Sequence, residues 1–324
     1  MARCFGERPV PFEEPVEESL ALVEPSPGEL LAAARMAVAE GSPLVVAART
    51  DAYAGFLRSL SLEHPELVVG LVMTDGTVMA PVSPEPGYHE LAVDEWGGLW
   101  RRESVPLELP EGEIPLGPDD VVLVSGGGKG FGHACAKALA EATGARLALL
   151  GRSEPDDDPA LAADLAALAT DYAYEPADLG DSVAVAHAVR ALEERLGRVT
   201  AIVHAGGVRR PARFSELTDG EIVLHVAPRV GGLEALLAVV EPPRLVVTFG
   251  SVIGRYGRAG ASHIALADGL MRERARNARS RVTRVLAIEW GSEGTCDQFL
   301  RLLAVPDLSG TVAVRTDGDP YPRK

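Results

Sequence analysis

Three short stretches bring together residue types suited to nucleotide chemistry. Ser125-Gly126-Gly127-Gly128-Lys129-Gly130-Phe131-Gly132 directly follows the apolar run at residues 121–124 and leads into the helix-like "HACAKALAEATG". Glycines there let the backbone turn tightly and approach a pyrophosphate. A helix N-terminus behind them supplies N–H donors and positive dipole. The motif is weak alone and gains weight from its strand–loop–helix setting. The next strand-like run, "ARLALLGRS", ends at Arg152. An acidic residue there would bond a ribose 2′-hydroxyl, whereas an arginine suits a 2′-phosphate, so Arg152 points to NADPH. Its other reading is a solvated arginine in an arginine-rich chain. Asp178 in "EPADLG" follows the third strand of this half, where a carboxylate can meet an adenine amino group.

These residues need a scaffold, and the flanking pattern supplies one. After residue 120, apolar strand-like runs alternate with helix-like runs: "VVLVS", "ARLALLG", "YAYEPADL", "VTAIVHAGGV", "RLVVTFGSV" and "VTRVLAIEWG". "PALAADLAALATD" and "SVAVAHAVRALEERLG" are expected helices between them. Such alternation predicts a doubly wound α/β fold with a parallel sheet. Residues 107–120, "LELPEGEIPLGPDD", are rich in Pro, Gly and acid and read as a linker. Before them "PGELLAAARMAVAEG", "PLVVAART", "YAGFLRSLSLEHPE" and "LVVGLVMT" alternate in the same way, without a glycine loop.

The chain has 324 residues, 47% hydrophobic and 24% charged, with a formal net charge of −16. That balance argues against nucleic acid or an anionic membrane as the main partner. No run approaches about 18 consecutive apolar residues, so no membrane span is expected. Cys4, Cys135 and Cys296 are isolated, which reads as free thiols in a reducing cytosol, with no metal site expected. The acidic, proline-containing start "MARCFGERPVPFEEPVEESL" lacks a signal peptide's apolar core and reads as a loosely held leader.

Taken together, the motifs resemble the short-chain dehydrogenase/reductase superfamily, and within it the ketoreductase domain of polyketide synthases. "SGGGKGFG" is similar to that family's TGxxxGxG loop, and "VHAGGV" to its HAAGV turn. "LHVAPRVGGLEAL", "FGSVIGRYGRAG" and "IEWG" resemble its lysine-bearing helix, its serine-bearing strand end and its closing WG turn. The resemblance implies cofactor contacts at Ser125, Gly126, Gly128, Lys129, Gly130, Phe131, Gly132, Arg152 and Asp178, with His204, Ala205 and Gly206 beside the nicotinamide. It also implies a truncated Rossmann-like structural subdomain over residues 1–115 and an NADP(H)-binding Rossmann-like subdomain over residues 116–324. The implied partners are a polyketide intermediate or its acyl carrier protein, and a polyketide synthase, in the cytoplasm.

In that family NADPH gives hydride to a β-keto carbon. A serine and a tyrosine bond the carbonyl oxygen, the tyrosine donates the proton, and a lysine and an asparagine support it. Carried over by position, the serine is Ser251, but the tyrosine position holds Ile264, the asparagine position Asp268 and the lysine position Arg229. Isoleucine has no proton to give, and arginine does not release one. Asp268 is expected to pair with Arg229. His263 lies one helix step, about 100°, away from Ile264, and Tyr256 reads as loop packing. The lid that follows the WG turn in the family looks shortened in "SEGTCDQFLRLLAVPDLSGTVAV". Three functions fit. One is a degenerate ketoreductase with a structural or partner-binding role. Another is an NADPH reductase with substrate- or water-assisted protonation. The third is a non-redox epimerase, dehydratase or cyclase using Asp268.

Overall fold

A computed structural model describes residues 3–12, 16–292 and 294–315. The chain begins with strands β1 (Arg3–Pro11) and β2 (Glu17–Val23), then α1 (Pro27–Glu40), β3 (Leu44–Ala48), α2 (Ala54–Glu63) and β4 (Val68–Met73). Ser26 caps α1 in a capping box with Glu29, and Gly41 ends it in the left-handed conformation, so the helix boundaries are set locally. Strands β5 (Met79–Val82), β6 (Gly87–Val93) and β7 (Leu99–Pro106) complete this half.

The second half runs β8 (Val121–Ser125), α3 (Gly130–Thr143), β9 (Arg146–Gly151), α4 (Pro159–Ala166), β10 (Tyr172–Pro176), α5 (Ser182–Leu196) and β11 (Ala201–His204). It continues with α6 (Asp219–Val226), α7 (Gly232–Val239), β12 (Leu245–Ser251), α8 (Ile253–Tyr256), α9 (Ser262–Asn277), β13 (Arg284–Trp290), α10 (Cys296–Ala304) and β14 (Gly310–Arg315). Helix α4 stops at Ala166, five residues short of the expected end of that helical run. The fourteen strands form one sheet in the order β10-β9-β8-β11-β12-β13-β14-β1-β7-β6-β4-β3-β2-β5. From β10 to β14 every pairing is parallel. Residues 121–125 are buried throughout, as expected for a parallel strand covered by helices on both faces. The doubly wound α/β expectation therefore holds. In the first half, β2, β3, β4 and β6 are parallel.

The expectation of a loosely held N-terminal leader is overturned over residues 3–11. Strand β1 sits at mid-sheet and joins the two halves, antiparallel to β14 through residues 3–5 and to β7 through residues 5–11. The prolines that suggested a loop, Pro9 and Pro11, fall beyond the β14 pairing. There β1 has a free edge and an absent N–H costs no ladder bond. The rest of the expected leader includes residues 1–2 and 13–15, which lie outside the described residues. Residues 107–120 carry no helix or strand, yet Leu116 is buried and Leu107, Leu109 and Ile114 pack on the core of the second half.

Helices α6 and α7 are joined by a π turn, Ala227–Gly231. Pro228 has no N–H and its ring crowds the preceding turn, so the helix accommodates it with a wider turn, of a kind frequent at functional sites. The whole stretch, Asp219–Val239, is long and apolar enough to cross a membrane. Here it packs in the fold, with Leu233 and Leu236 in the core and Arg229 buried at its middle.

A buried ion network ties the halves together. Asp51, which precedes α2, meets Arg272 of α9 (3.1 Å), Arg102 of β7 (2.7 Å) and Arg276 (3.3 Å). Arg272 also pairs with Glu289 of β13, and the Arg255 Nε donates to the other Glu289 oxygen at 2.8 Å. Beside it Gly269 lets α9 close on the first half, since a Cβ there would lie 2.0 Å from the Ala52 carbonyl oxygen.

Candidate active site

The C-terminal ends of β8, β9, β11 and β12 open on two adjoining cavities, where an open α/β sheet presents its crevice. The first, of about 500 Å³, is lined by Gly126, Lys129, Phe131 and Gly132, by Ala205 and Gly206, and by Arg229, Ser251 and Asp268. The second, of about 380 Å³, is lined by Gly126, Gly128, Lys129, Arg152, Asp178 and Gly206 among others. The structure thus gathers the glycine loop, the β9 end and the β11 turn around one cleft.

The loop is shaped by contact as well as by φ. Gly126 has φ 72°, and a Cβ on it would stand 2.8 Å from Gly206. The two strand-end turns therefore approach backbone to backbone, leaving a cradle that a side chain would fill. Gly130 has φ 64° and lines neither cavity, where it opens α3 behind Lys129. The Lys129 ammonium pairs with Asp158, the N-cap of α4. Arg152 is exposed on the second cavity. Asp178 is exposed too, and its Oδ1 accepts from the Gly180 N–H at 2.9 Å.

Ser125 and His204 are placed differently from the other expected cofactor residues. Both are fully buried, and neither is among the residues lining the cleft. His204 Nε2 donates to the Arg229 carbonyl at 2.9 Å, so its Nδ1 accepts from the Ser125 hydroxyl at 2.6 Å. Burial pushes the His204 imidazole down to about 4, which keeps it neutral. The pair braces the loop against the π turn from behind.

At the reaction end, Ser251 closes β12, is 4% exposed and accepts from the Ile253 N–H at 3.3 Å. Arg229 donates Nε to Asp268 Oδ1 at 2.8 Å, Nη2 to the Val208 carbonyl at 2.8 Å and Nη1 to the His225 carbonyl at 3.3 Å. The expected pair is present, and three of the guanidinium's N–H donors are held by the fold. Burial raises the Asp268 carboxyl while Arg229 and then Arg209 pull it back. Ile264 is 3% exposed in an apolar cluster with Ile253, Ala261 and Ala265. It faces a third cavity of about 990 Å³. Arg209, Ser251, Trp290, Gly291 and Ser292 line both this cavity and the first, so the space beside Ile264 adjoins the cleft.

His263 and Tyr256, which the sequence sets aside as replacements for the tyrosine, are engaged elsewhere. His263 is buried and donates Nε2 to the Arg210 carbonyl at 2.8 Å. The Tyr256 hydroxyl meets Ser104 at 2.7 Å, with Arg315 stacked on its ring. After β13 the chain passes Gly291 and Ser292 and reaches α10 at Cys296, so any lid segment is short.

Three features escaped the sequence reading. Phe131 stands edge-on to Trp290 at 5.0 Å, and Phe249 contacts both Trp290 (5.4 Å) and Phe299 of α10 (5.2 Å), which gives the first cavity an aromatic wall. Glu221, His225 and His263 place donor atoms within 4.8 Å of one another. Among these, His225 Nδ1 donates to the Glu221 carbonyl at 2.8 Å. The Glu221–His225 spacing of one helical turn was its only sequence signal. Arg209 lines the boundary between two cavities.

Comparison with known proteins gives this geometry a class. Residues 120–294, more than half of the chain, match the KR domain family. The chain belongs to that family, the ketoreductase-type domains of polyketide synthases within the short-chain dehydrogenase/reductase superfamily. Among relatives, it is 30% identical over 247 residues to erythronolide synthase EryA3 of Saccharopolyspora erythraea, covering 73% of this chain and 8% of that protein. It is 27% identical over 280 residues to the spectinabilin polyketide synthase system protein NorA′ of Streptomyces orinoci, covering 83% of this chain and 8% of that protein. The chain thus spans under a tenth of either synthase. Its fold matches a ketoreductase domain from the bacillaene assembly line with a TM-score of 0.76 at 16% identity, over 97% of this chain and 96% of that one. It also matches PlmKR1, the ketoreductase of the first phoslactomycin module in Streptomyces sp. HK803, with a TM-score of 0.75 at 20% identity, over 97% and 93% of the two chains.

Proposed function

We propose that this protein is a degenerate ketoreductase that retains NADPH binding and acts in the cytoplasm as a structural or partner-binding component of polyketide biosynthesis. The observation that carries the proposal is Ile264, an apolar side chain facing the large cavity at the position where the family carries its proton donor, while Arg229 at the lysine position is held by Asp268 and two backbone carbonyls. Ser251 alone is a weak acid and cannot replace a tyrosine.

The cleft fits NADPH. The Gly126–Gly206 cradle leaves room for a pyrophosphate, the N-terminus of α3 faces it, and Arg152 suits a 2′-phosphate. When bound, NADPH supplies hydride. The protein's own residues supply orientation, an oxygen ligand in Ser251 and a fixed Arg229–Asp268 wall, and no acid beside them.

Residues 1–115 serve in this reading as the structural subdomain and residues 116–324 as the nucleotide-binding one. The expected partner is an acyl carrier protein or its polyketide intermediate. The test pairs two titrations with one assay. NADPH should bind, an acyl carrier protein should bind, and β-ketothioesters should not be reduced. Absence of NADPH binding at millimolar concentration overturns the nucleotide part, and steady β-ketothioester reduction overturns the degenerate part.

One observation favours a second reading. The space beside Ile264 is a cavity of about 990 Å³ that shares Ser251 and Trp290 with the glycine-loop cleft, and a reductase needs substrate space there. A substrate carrying its own acidic group, such as a neighbouring phenol, would then provide the proton. Reduction limited to such substrates selects this reading.

A further inference from the structure

The cavity of about 990 Å³ beside Ile264 has an apolar wall that includes Leu62, Pro211, Val252 and Ile253. Its charged lining consists of Arg58, Arg209 and Arg258, with no carboxylate among the lining residues. That is unexpected in a chain with 47 acidic residues against 31 lysines and arginines. Arg58 is committed within the fold, for its Nη2 lies 3.1 Å from Glu90 Oε2 and its guanidinium stacks 4.6 Å from the Tyr88 ring centroid.

Arg209 and Arg258 differ. Both are exposed, and among the described residues neither guanidinium has a hydrogen-bond or ion-pair partner. Arg209 stands at the boundary with the nucleotide cleft, close enough for Asp268 to feel its charge. Guanidinium forks bind carboxylates in planar, charge-assisted pairs, and an apolar wall favours an apolar body.

We propose that this cavity binds a free carboxylic acid with an apolar body, its carboxylate held by Arg209, with Arg258 adding positive field at the wall. The ligand class is thus an amphipathic monoanion rather than a neutral ketone. The proposal rests on the functional reading above only in treating this cavity as ligand space, and it does not need a bound nucleotide.

Calorimetric titration of the full chain with octanoate, 1-octanol and octyl phosphate tests it. Octanoate should bind about ten-fold more tightly than octanol. Arg209→Gln should remove that advantage and leave octanol unchanged, while Arg198→Gln, on the surface beside Glu241, should change neither. Equal affinity for octanoate and octanol, no octanoate binding at millimolar concentration, or an unaffected Arg209→Gln variant overturns the proposal. Tighter binding of octyl phosphate than of octanoate overturns the choice of carboxylate. NADPH titrated in parallel separates the two readings, because loss of nucleotide binding with octanoate binding intact strikes only the functional one.

Discussion

The Arg229 guanidinium closes on the Asp268 carboxylate, Nε to Oδ1 at 2.8 Å, with both side chains no more than 6% exposed. Two further donors of the same guanidinium hold the Val208 and His225 carbonyls. Breaking such a buried pair leaves one charge without compensation and costs about 3–5 kcal/mol. Asp268→Ala should therefore lose stability of that order in urea unfolding. The Arg229→Met, Asp268→Leu double variant should be less destabilised than Asp268→Ala, because no charge is stranded. A cost for Asp268→Ala below about 1 kcal/mol would mean that the pair does not constrain the site.

The glycine-loop cleft gives a prediction that separates cradle from charge. Gly126→Ala puts a methyl group against Gly206, at a φ of 72° that L side chains rarely adopt. It should abolish measurable binding of both NADPH and NADH. Arg152→Ala leaves the cradle intact and removes the cation suited to a 2′-phosphate. It should weaken NADPH by about ten-fold and leave NADH unchanged. Fluorescence titration of the four protein–nucleotide pairs reads this directly. Equal effects of Arg152→Ala on both nucleotides would end the assignment of Arg152 to the 2′-phosphate.

The legible parts of this protein are those written as local pattern. The loop from Ser125 to Gly132 lies between a wholly apolar strand and a helix, so its place followed from local pattern, whereas the meeting of Arg229 with Asp268 followed from the positions the family resemblance gives them. The misread parts depend on partners distant in sequence. Strand β1 is held by β7 and β14, about 95 and 310 residues away, and nothing within residues 3–11 announces them. Ser125 and His204 were expected at the cofactor because the family resemblance places their motifs there. Their side chains instead pair with each other, a matter of rotamer and packing that the loop pattern does not encode. The Asp51–Arg272–Glu289 network and Arg209's position between two cavities are likewise products of tertiary assembly.

Acid should weaken the fold in two separable stages. His204 has a folded-state pKa of about 4, against an ordinary 6.5, because burial penalises its charged form. Below pH 6.5 the unfolded chain takes up a proton that the fold refuses, so stability falls as pH drops from about 6.5 to 4. At about 1.4 kcal/mol per pKa unit, His204 alone contributes roughly 3 kcal/mol of that loss. Burial lowers His225 and His263 in the same direction. Glu289 belongs to the second stage. Burial would raise it, but Arg255 and Arg272 hold it below the ordinary carboxylate range, so its contribution is present above that range and lost as pH falls from there through its lowered folded-state value. Urea unfolding at pH 7 and pH 5 should show the first stage, and His204→Asn should flatten it. An unchanged slope in that variant would remove His204 as its source.

Ile264 bears most directly on function. Its side chain joins Ile253, Ala261 and Ala265 in an apolar cluster and faces the large cavity, so no proton can come from this position. His263 and Tyr256, the two candidates weighed for replacement, are bonded to Arg210 and Ser104. Loss of a positioned general acid costs about 10²–10⁴-fold in rate. Simple decalones and β-ketothioesters should therefore show NADPH oxidation no faster than background with the wild-type chain. The Ile264→Tyr, Arg229→Lys double variant should recover detectable turnover, because the tyrosine would enter the cavity that already adjoins Ser251 and the cleft, and a lysine at residue 229 still balances Asp268. Recovery should remain partial, since the chain passes quickly from Trp290 to α10 and leaves little lid to exclude water from the site. Robust wild-type reduction of a plain, non-acidic ketone would overturn this account, because it would require an acid that none of Ser251, His263 and Tyr256 provides.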